Sequence, residues 1–203
     1  MSSPSRPRVG VLALQGDVPE HAAAVERVLG EGSVVPVLGP ADLLRVRALL
    51  LPGGESTTLS RLLDEEGLRA PLKERLEGGL PALATCAGLI LLARELEPSP
   101  GGRDPETLGL LSVKVRRNDY GRQVESFEAP VDLQGLSGGP FPAAFIRAPR
   151  ILRVDPGVEV LGHWDGSPVA VRQGNLWGLT FHPELSSDER LHRLFLRSHG
   201  LLP

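Results

Sequence analysis

Residues 80–96 read LPALATCAGLILLAREL. The first six form a short apolar run, as expected of a buried strand, and residues 87–96 carry the pattern of a helix that follows without a linker. Cys86, the single cysteine of the chain, stands at the junction. A sharp strand-to-helix turn lifts the central side chain clear of the backbone, and only small neighbours fit beneath it. Ala84, Thr85, Ala87 and Gly88 meet that demand. The helix behind turns its N-terminal amides and positive dipole end toward the sulfur, which favours a thiolate and can receive a developing oxyanion. A lone cysteine in an arbitrary strand is more often a small buried hydrophobe. The elbow context is what points to a nucleophile.

The same alternation extends toward the N-terminus. Residues 9–14, 33–38 and 48–51 read as strands, and residues 19–29, 57–66 and 68–77 as helices. Asp17 and Glu20 stand at capping-box spacing, with Pro19 in the permitted first turn and Gly30 as the stop. Strands alternating with helices predict an α/β fold, a doubly wound and mostly parallel sheet with helices on both faces. From residue 108 to 171 the pattern changes to strands, turns and prolines. Residues 111–116, 123–127, 143–147, 158–164 and 169–173 predict an antiparallel β section appended to that sheet, and residues 98–105 and 135–142 are Gly/Pro-rich loops. A strand at 176–181 and a helix at 188–198 follow. Residues 1–8 are polar and Pro-rich, a short disordered lead before one domain spanning 9–203.

Composition narrows the function classes. A chain of 203 residues buries roughly 70% of its unfolded surface, enough for a full core without disulfides or structural metals. A net charge of −3 gives non-specific nucleic-acid binding no electrostatic support. No apolar run approaches the ~20 residues of a membrane helix. One thiol fits a reducing cytoplasm. No His/Cys/Asp spacing marks a metal site.

Two further segments carry chemistry. His182 and Glu184 flank Pro183 at the end of an apolar strand. At a strand's period of two their side chains share a side, and a carboxylate beside an imidazole fixes its tautomer and supports its charged form. Without a cysteine elbow, a His-Pro-Glu is equally a surface histidine before a helix cap; His21, His163, His192 and His199 lack the pairing, the last two being surface or packing residues of the terminal helix. Residues 51–58, LPGGESTT, follow a strand and precede a helix. Paired glycines there let backbone amides approach a ligand, so the loop can supply an oxyanion donor, while Ser56 or Thr57 caps the helix.

A Gly-Gly loop, a cysteine elbow and a late His-x-Glu, in that order, resemble the class I triad glutamine amidotransferases, which share a flavodoxin-like α/β fold. The blocks Gln15-Gly16-Asp17, Pro52-Gly53-Gly54-Glu55-Ser56, Tyr120-Gly121-Arg122-Gln123 and Phe145-Ile146-Arg147-Ala148-Pro149 resemble, more narrowly, the glutaminase subunits of pyridoxal 5′-phosphate synthase. The resemblance covers nearly the whole chain beyond the lead; Ala84 departs from it, standing where that family usually has glycine. It implies hydrolysis of L-glutamine by Cys86, His182 and Glu184, with Gly54 and Ala87 as oxyanion donors. It maps glutamine contacts onto Gly54, Glu55, Ser56, Arg117, Ile146 and Arg147. No cofactor is required, and the ammonia is expected to pass to a synthase subunit in a hetero-oligomeric complex. Gln15 and Asp17 end the first strand at the carboxyl edge of the sheet, where such folds bind ligands, and are expected to sense that partner. Two alternatives stand beside this reading. One is the glutaminase of another amidotransferase, such as that feeding imidazole glycerol phosphate synthesis; the other is a non-catalytic regulatory subunit on the same fold.

Overall fold

A computed structural model of the chain describes residues 8–99, 102, 104–117 and 126–202. The lead through residue 7, most of the strand expected at 123–127 and the Tyr120-Gly121-Arg122-Gln123 block lie outside the described residues. In chain order the elements are β1 (Val9–Leu12), α1 (Val18–Leu29), β2 (Val34–Val37), α2 (Pro40–Leu43), β3 (Ala48–Leu51), α3 (Ser56–Glu65), α4 (Arg69–Glu77), β4 (Ala82–Thr85), α5 (Ala87–Leu92), β5 (Ala93–Leu96) and β6 (Leu111–Arg116). There follow β7 (Phe127–Val131), β8 (Phe141–Phe145), β9 (Arg150–Val154), β10 (Glu159–Trp164), β11 (Ser167–Gln173), β12 (Leu176–Leu179), a 3₁₀ turn at Pro183–Leu185 and α6 (Arg190–Ser198).

The main sheet has the order β10-β11-β12-β4-β3-β1-β2. Its strands β12, β4, β3, β1 and β2 pair in parallel, while β10 and β11 add the expected antiparallel edge. The parallel part follows the doubly wound order in which ligands sit at the carboxyl ends of the strands, near the switch point between β1 and β3. The segments holding Gln15, Gly53, Cys86 and His182 all leave the sheet at that edge.

The period of two sorts the side chains between two cores. Leu49 and Leu51 of β3 join one apolar cluster with Leu59 and Leu63 of α3 and Leu72 of α4. Ala48 and Leu50 join the opposite cluster with Val25 of α1 and Leu191 and Phe195 of α6. Each fully buried leucine contributes on the order of 2 kcal/mol. No helix among the described residues is long and apolar enough to cross a membrane.

Several elements differ from expectation. The helix predicted to run to residue 96 stops at Leu92, because Ala93–Leu96 pairs in parallel with β6 instead. The sequence signals missed α2 and also β9, which pairs with β6 and completes a three-stranded sheet. The loop expected through residue 142 ends earlier, since β8 begins at Phe141 and pairs with β7. Pro130 and Pro142 face each other there. An antiparallel pair that exchanges no hydrogen bonds is the one place where two prolines cost the ladder nothing.

The approach of α5 to β3 sets the elbow. A Cβ added to Gly88 would lie 2.2 Å from the Leu51 carbonyl oxygen and 2.8 Å from its carbon. A backbone carbonyl cannot move aside as a side-chain tip can. Gly88→Ala is therefore expected to lower stability by about 1–3 kcal/mol, the usual range for overpacking, in urea unfolding of the purified chain. Unchanged stability would show that α5 slides freely along β3.

Candidate active site

Cys86 is the residue between β4 and α5, and its backbone lies at φ 47, ψ −101. A non-glycine residue in such a conformation costs on the order of 1–3 kcal/mol and persists only where its surroundings impose it. Here the Cys86 N–H donates to the Leu179 carbonyl at 2.9 Å, and the Ile90 N–H donates to the Cys86 carbonyl at 3.2 Å. The elbow forms with alanine at position 84, whose side chain is fully buried in the core. The sulfur lies 3.8 Å from the Ile146 carbonyl oxygen. Ala87, the first residue of α5, has an N–H with no acceptor inside the helix.

His182 Nδ1 lies 2.7 Å from Glu184 Oε1, and both side chains are buried. The pairing expected from strand periodicity is present, but a different geometry makes it. β12 ends at Leu179; His182 then donates its N–H to the Ala144 carbonyl at 2.9 Å in an isolated bridge, and Pro183–Leu185 forms a 3₁₀ turn. That turn, not a period of two, brings the carboxylate back to the imidazole.

A second carboxylate reaches the same nitrogen. Asp17 Oδ2 lies 3.1 Å from His182 Nδ1. The capping-box role expected of Asp17 is absent: it occupies the N-cap of α1 without a side-chain cap bond. The hydrogen bond with His182 holds the Asp17 carboxyl below its ordinary range, against the opposing effect of burial. For His182, burial pushes toward the neutral form, but interactions with Asp17, Cys86 and Glu184 together outweigh it and hold its pKa far above the usual value near 6.5. With Nδ1 engaged by two carboxylates, buried Nε2 has no hydrogen-bond partner among the described residues and is left for Cys86. Asp17, His182 and Glu184 bring ligand-type atoms within 4.8 Å of one another, and these atoms are already engaged around the proton of Nδ1.

The loop after β3 packs over this pair. A Cβ on Gly53 would lie 2.3 Å from His182 Cε1 and 2.8 Å from Asp17 Oδ2. Gly54 has φ 148, and the next N–H, that of Glu55, donates to Gln15 Oε1 at 2.9 Å. The Asp17 N–H donates to the Gly53 carbonyl at 3.2 Å. Gln15 and Asp17 therefore both touch the loop, and Asp17 touches the imidazole as well. The helix cap differs from expectation: Glu55, not Ser56 or Thr57, accepts from the Thr57 and Thr58 amides at 3.2 and 2.7 Å. Arg117 leans on the same carboxylate at 3.4 Å and on Thr57 Oγ1 at 3.2 Å.

A cavity of about 350 Å³ opens above Cys86 and His182. The six residues expected to contact glutamine all line it: Gly54, Glu55, Ser56, Arg117, Ile146 and Arg147. Gln15, Asp17 and Ile90 line it as well, while Glu184 lies buried behind His182. Sequence reasoning missed Ile90, the contact of Asp17 with His182, and the placement of His21 against Glu184. The i, i+4 spacing of Asp17, at the N-cap of α1, and His21, in its first turn, is the signal that marks the last two.

The sign of the electrostatics is testable. A histidine with a raised folded pKa adds stability that is complete below its unfolded value near 6.5 and is lost as pH rises through the folded value. Asp17→Asn removes one of the two carboxylates sustaining that shift. The His182 midpoint, followed by NMR of the ring carbons, is expected to fall by roughly one unit or more. An unmoved midpoint would mean that Glu184 and Cys86 set the charge state without Asp17.

The chain matches the model of the SNO glutamine amidotransferase family over residues 11–200. It is 52% identical over an alignment of 205 positions to a protein of Acidothermus cellulolyticus named pyridoxal 5′-phosphate synthase subunit PdxT, covering 97% of this chain and 96% of that one. It is 50% identical to the protein of the same name from Pyrococcus furiosus, covering 94% and 98%. A crystal structure described as a glutamine amidotransferase superposes with a TM-score of 0.86 at 46% identity, over 95% of this chain and 98% of that one. A structure of PurLQS from Thermotoga maritima, 16% identical over 95% of this chain and 99% of that one with a TM-score of 0.68, shares the fold. A cysteine elbow facing a His–Glu pair and a family match over almost its whole length make one statement: this chain belongs to the SNO glutamine amidotransferase family.

Proposed function

We propose that this chain is the glutaminase subunit of a pyridoxal 5′-phosphate synthase, hydrolysing L-glutamine to L-glutamate and ammonia and delivering the ammonia to a synthase subunit. The observation that carries this reading is Cys86 on its imposed turn beside a doubly bonded His182, at the floor of a cavity of about 350 Å³ edged by Arg117, Arg147 and Glu55. That volume lies at the small end of ligand pockets, and a zwitterionic amino acid needs both charge types at its rim. The names of relatives near 50% identity support the synthase assignment over other amidotransferases. A lone thiol supports a reducing cytoplasm as its compartment.

In this mechanism the Cys86 thiolate attacks the side-chain amide carbon of glutamine. The negative charge moves to the amide oxygen, which the Ala87 N–H and an N–H of the Gly54 loop receive. His182, held as imidazolium by its carboxylates, gives its Nε2 proton to the departing nitrogen, and ammonia leaves as the thioester forms. A water then adds to the thioester with neutral His182 as base, releasing glutamate and restoring the thiolate–imidazolium pair. Glu184 keeps Nδ1 protonated and the ring oriented throughout. Gln15 fixes the Glu55 amide, so a partner pressing on the Gln15–Asp17 corner acts on the oxyanion loop and on His182 together.

Cys86→Ala is expected to abolish ammonia release while the fold and synthase binding persist. His182→Asn should come close to it, and Glu184→Gln should be milder, since effects within such a unit do not add. Near wild-type hydrolysis by Cys86→Ala in the assembled complex would remove the nucleophile assignment. Adding the synthase is expected to raise turnover by about a hundred-fold or more, the scale of one oxyanion donor. Equal rates for free and assembled chain would leave the loop as a fixed oxyanion hole.

A further inference from the structure

Behind Glu184 lies a histidine that the mechanism above does not use. His21 sits in the first turn of α1, and its side chain is completely buried. Its Nε2 lies 3.1 Å from Thr85 Oγ1 and 3.4 Å from Glu184 Oε2. That carboxylate oxygen is buried and has no hydrogen-bond partner among the described residues. Thr85 is the last residue of β4, directly before Cys86. His21 thus stands between the strand end that carries the sulfur and the carboxylate that orients the base.

We infer that His21 is a positioning residue for the reaction, donating its Nε2 proton between Thr85 Oγ1 and Glu184 Oε2 and so holding Glu184 with its other oxygen on His182. This inference rests on the triad reading above. The tautomer follows from the neighbours. A bare Nε2 lone pair would face a carboxylate lone pair, whereas Nε2–H meets two acceptors. Nδ1 is buried without a partner among the described residues, so that nitrogen gives the ring no reason to carry a second proton. Burial holds His21 in the neutral form despite Glu184, Asp17 and Glu20, and His182 acts in the same direction as burial. On the far side the His192 ring meets His21 edge-on at 5.9 Å and is itself held neutral by burial. The result is a neutral donor against a buried carboxylate, so the protein fixes Glu184 without adding a second cation that would compete with His182 for it.

The test exploits reach along the side chain. The glutamine amide nitrogen lies as many bonds from Cβ as Nε2 of histidine does, whereas that of asparagine stops at the depth of Nδ1. Glutamine hydrolysis by the chain assembled with its synthase partner is measured for His21→Leu, His21→Asn and His21→Gln. The leucine and asparagine variants are expected to lose about ten-fold or more in kcat, the scale of a hydrogen bond to a charged group. KM should stay within about two-fold, because His21 does not line the cavity. His21→Gln should recover most of kcat. In a Glu184→Gln background, His21→Leu should cost little more, since both act through one carboxylate. Wild-type kcat in His21→Leu, an equal loss in both backgrounds, or Gln no better than Asn would each overturn the inference. If His21→Leu fails to fold, the contrast between Asn and Gln decides. Hydrolysis that survives Cys86→Ala in a chain with His21 intact would instead sink the triad reading.

Discussion

A main-chain turn at Cys86, imposed at φ 47, governs the geometry of this molecule's chemistry. The turn exists because β4 ends in a hydrogen bond to Leu179 of the adjacent β12 and because α5 approaches β3 closely enough that residue 88 has room for no side chain. Both supports are core features, and neither touches the cavity. The strain is thus balanced by burial elsewhere, and the sulfur is presented at a fixed point. His182, Gly53 and Ile146 all take their positions relative to that point.

Much of this was legible in the chain. The strand–Cys–Ala–Gly–helix stretch fixed the elbow, because small residues at a strand–helix junction have few other uses. The parallel sheet was legible from continuous apolar runs, since strands buried on both faces leave little else in their pattern. Where local pattern and tertiary pairing disagreed, pairing won: Ala93–Leu96 continues a helical pattern yet lies in a strand, because β6 offers it a hydrogen-bonding edge. β9 and α2 were invisible because one is short and charged and the other is a single turn.

The site was legible in its residue types and less so in its contacts. Asp17 read as a helix cap because Asp-x-x-Glu is a capping signature, and nothing local reveals that an imidazole 165 positions later lies 3.1 Å from its carboxylate. Glu55 read as a substrate ligand and is also the cap of α3, so one carboxylate both holds the helix and faces the cavity. The likeness of His182 and Glu184 to alternate residues of a strand reached the right pairing by the wrong backbone, since a tight turn and a strand can bring the same two side chains together.

The strand order has a consequence in time. β12, among the last elements in sequence, lies inside the sheet between β4 and β11 rather than at its edge. During synthesis, residues 9–96 can collapse into four parallel strands with their helices while the tail is still being made, as N-terminal parts of chains generally do. In that interval the β4 edge is unpaired, the Leu179 carbonyl that anchors Cys86 is missing, and no imidazole stands beside the sulfur. Pairing of β12 thus closes the sheet beside β4 and brings the Leu179 carbonyl to the Cys86 N–H in one event, so the elbow gains its anchor only after the final stretch of the chain has emerged.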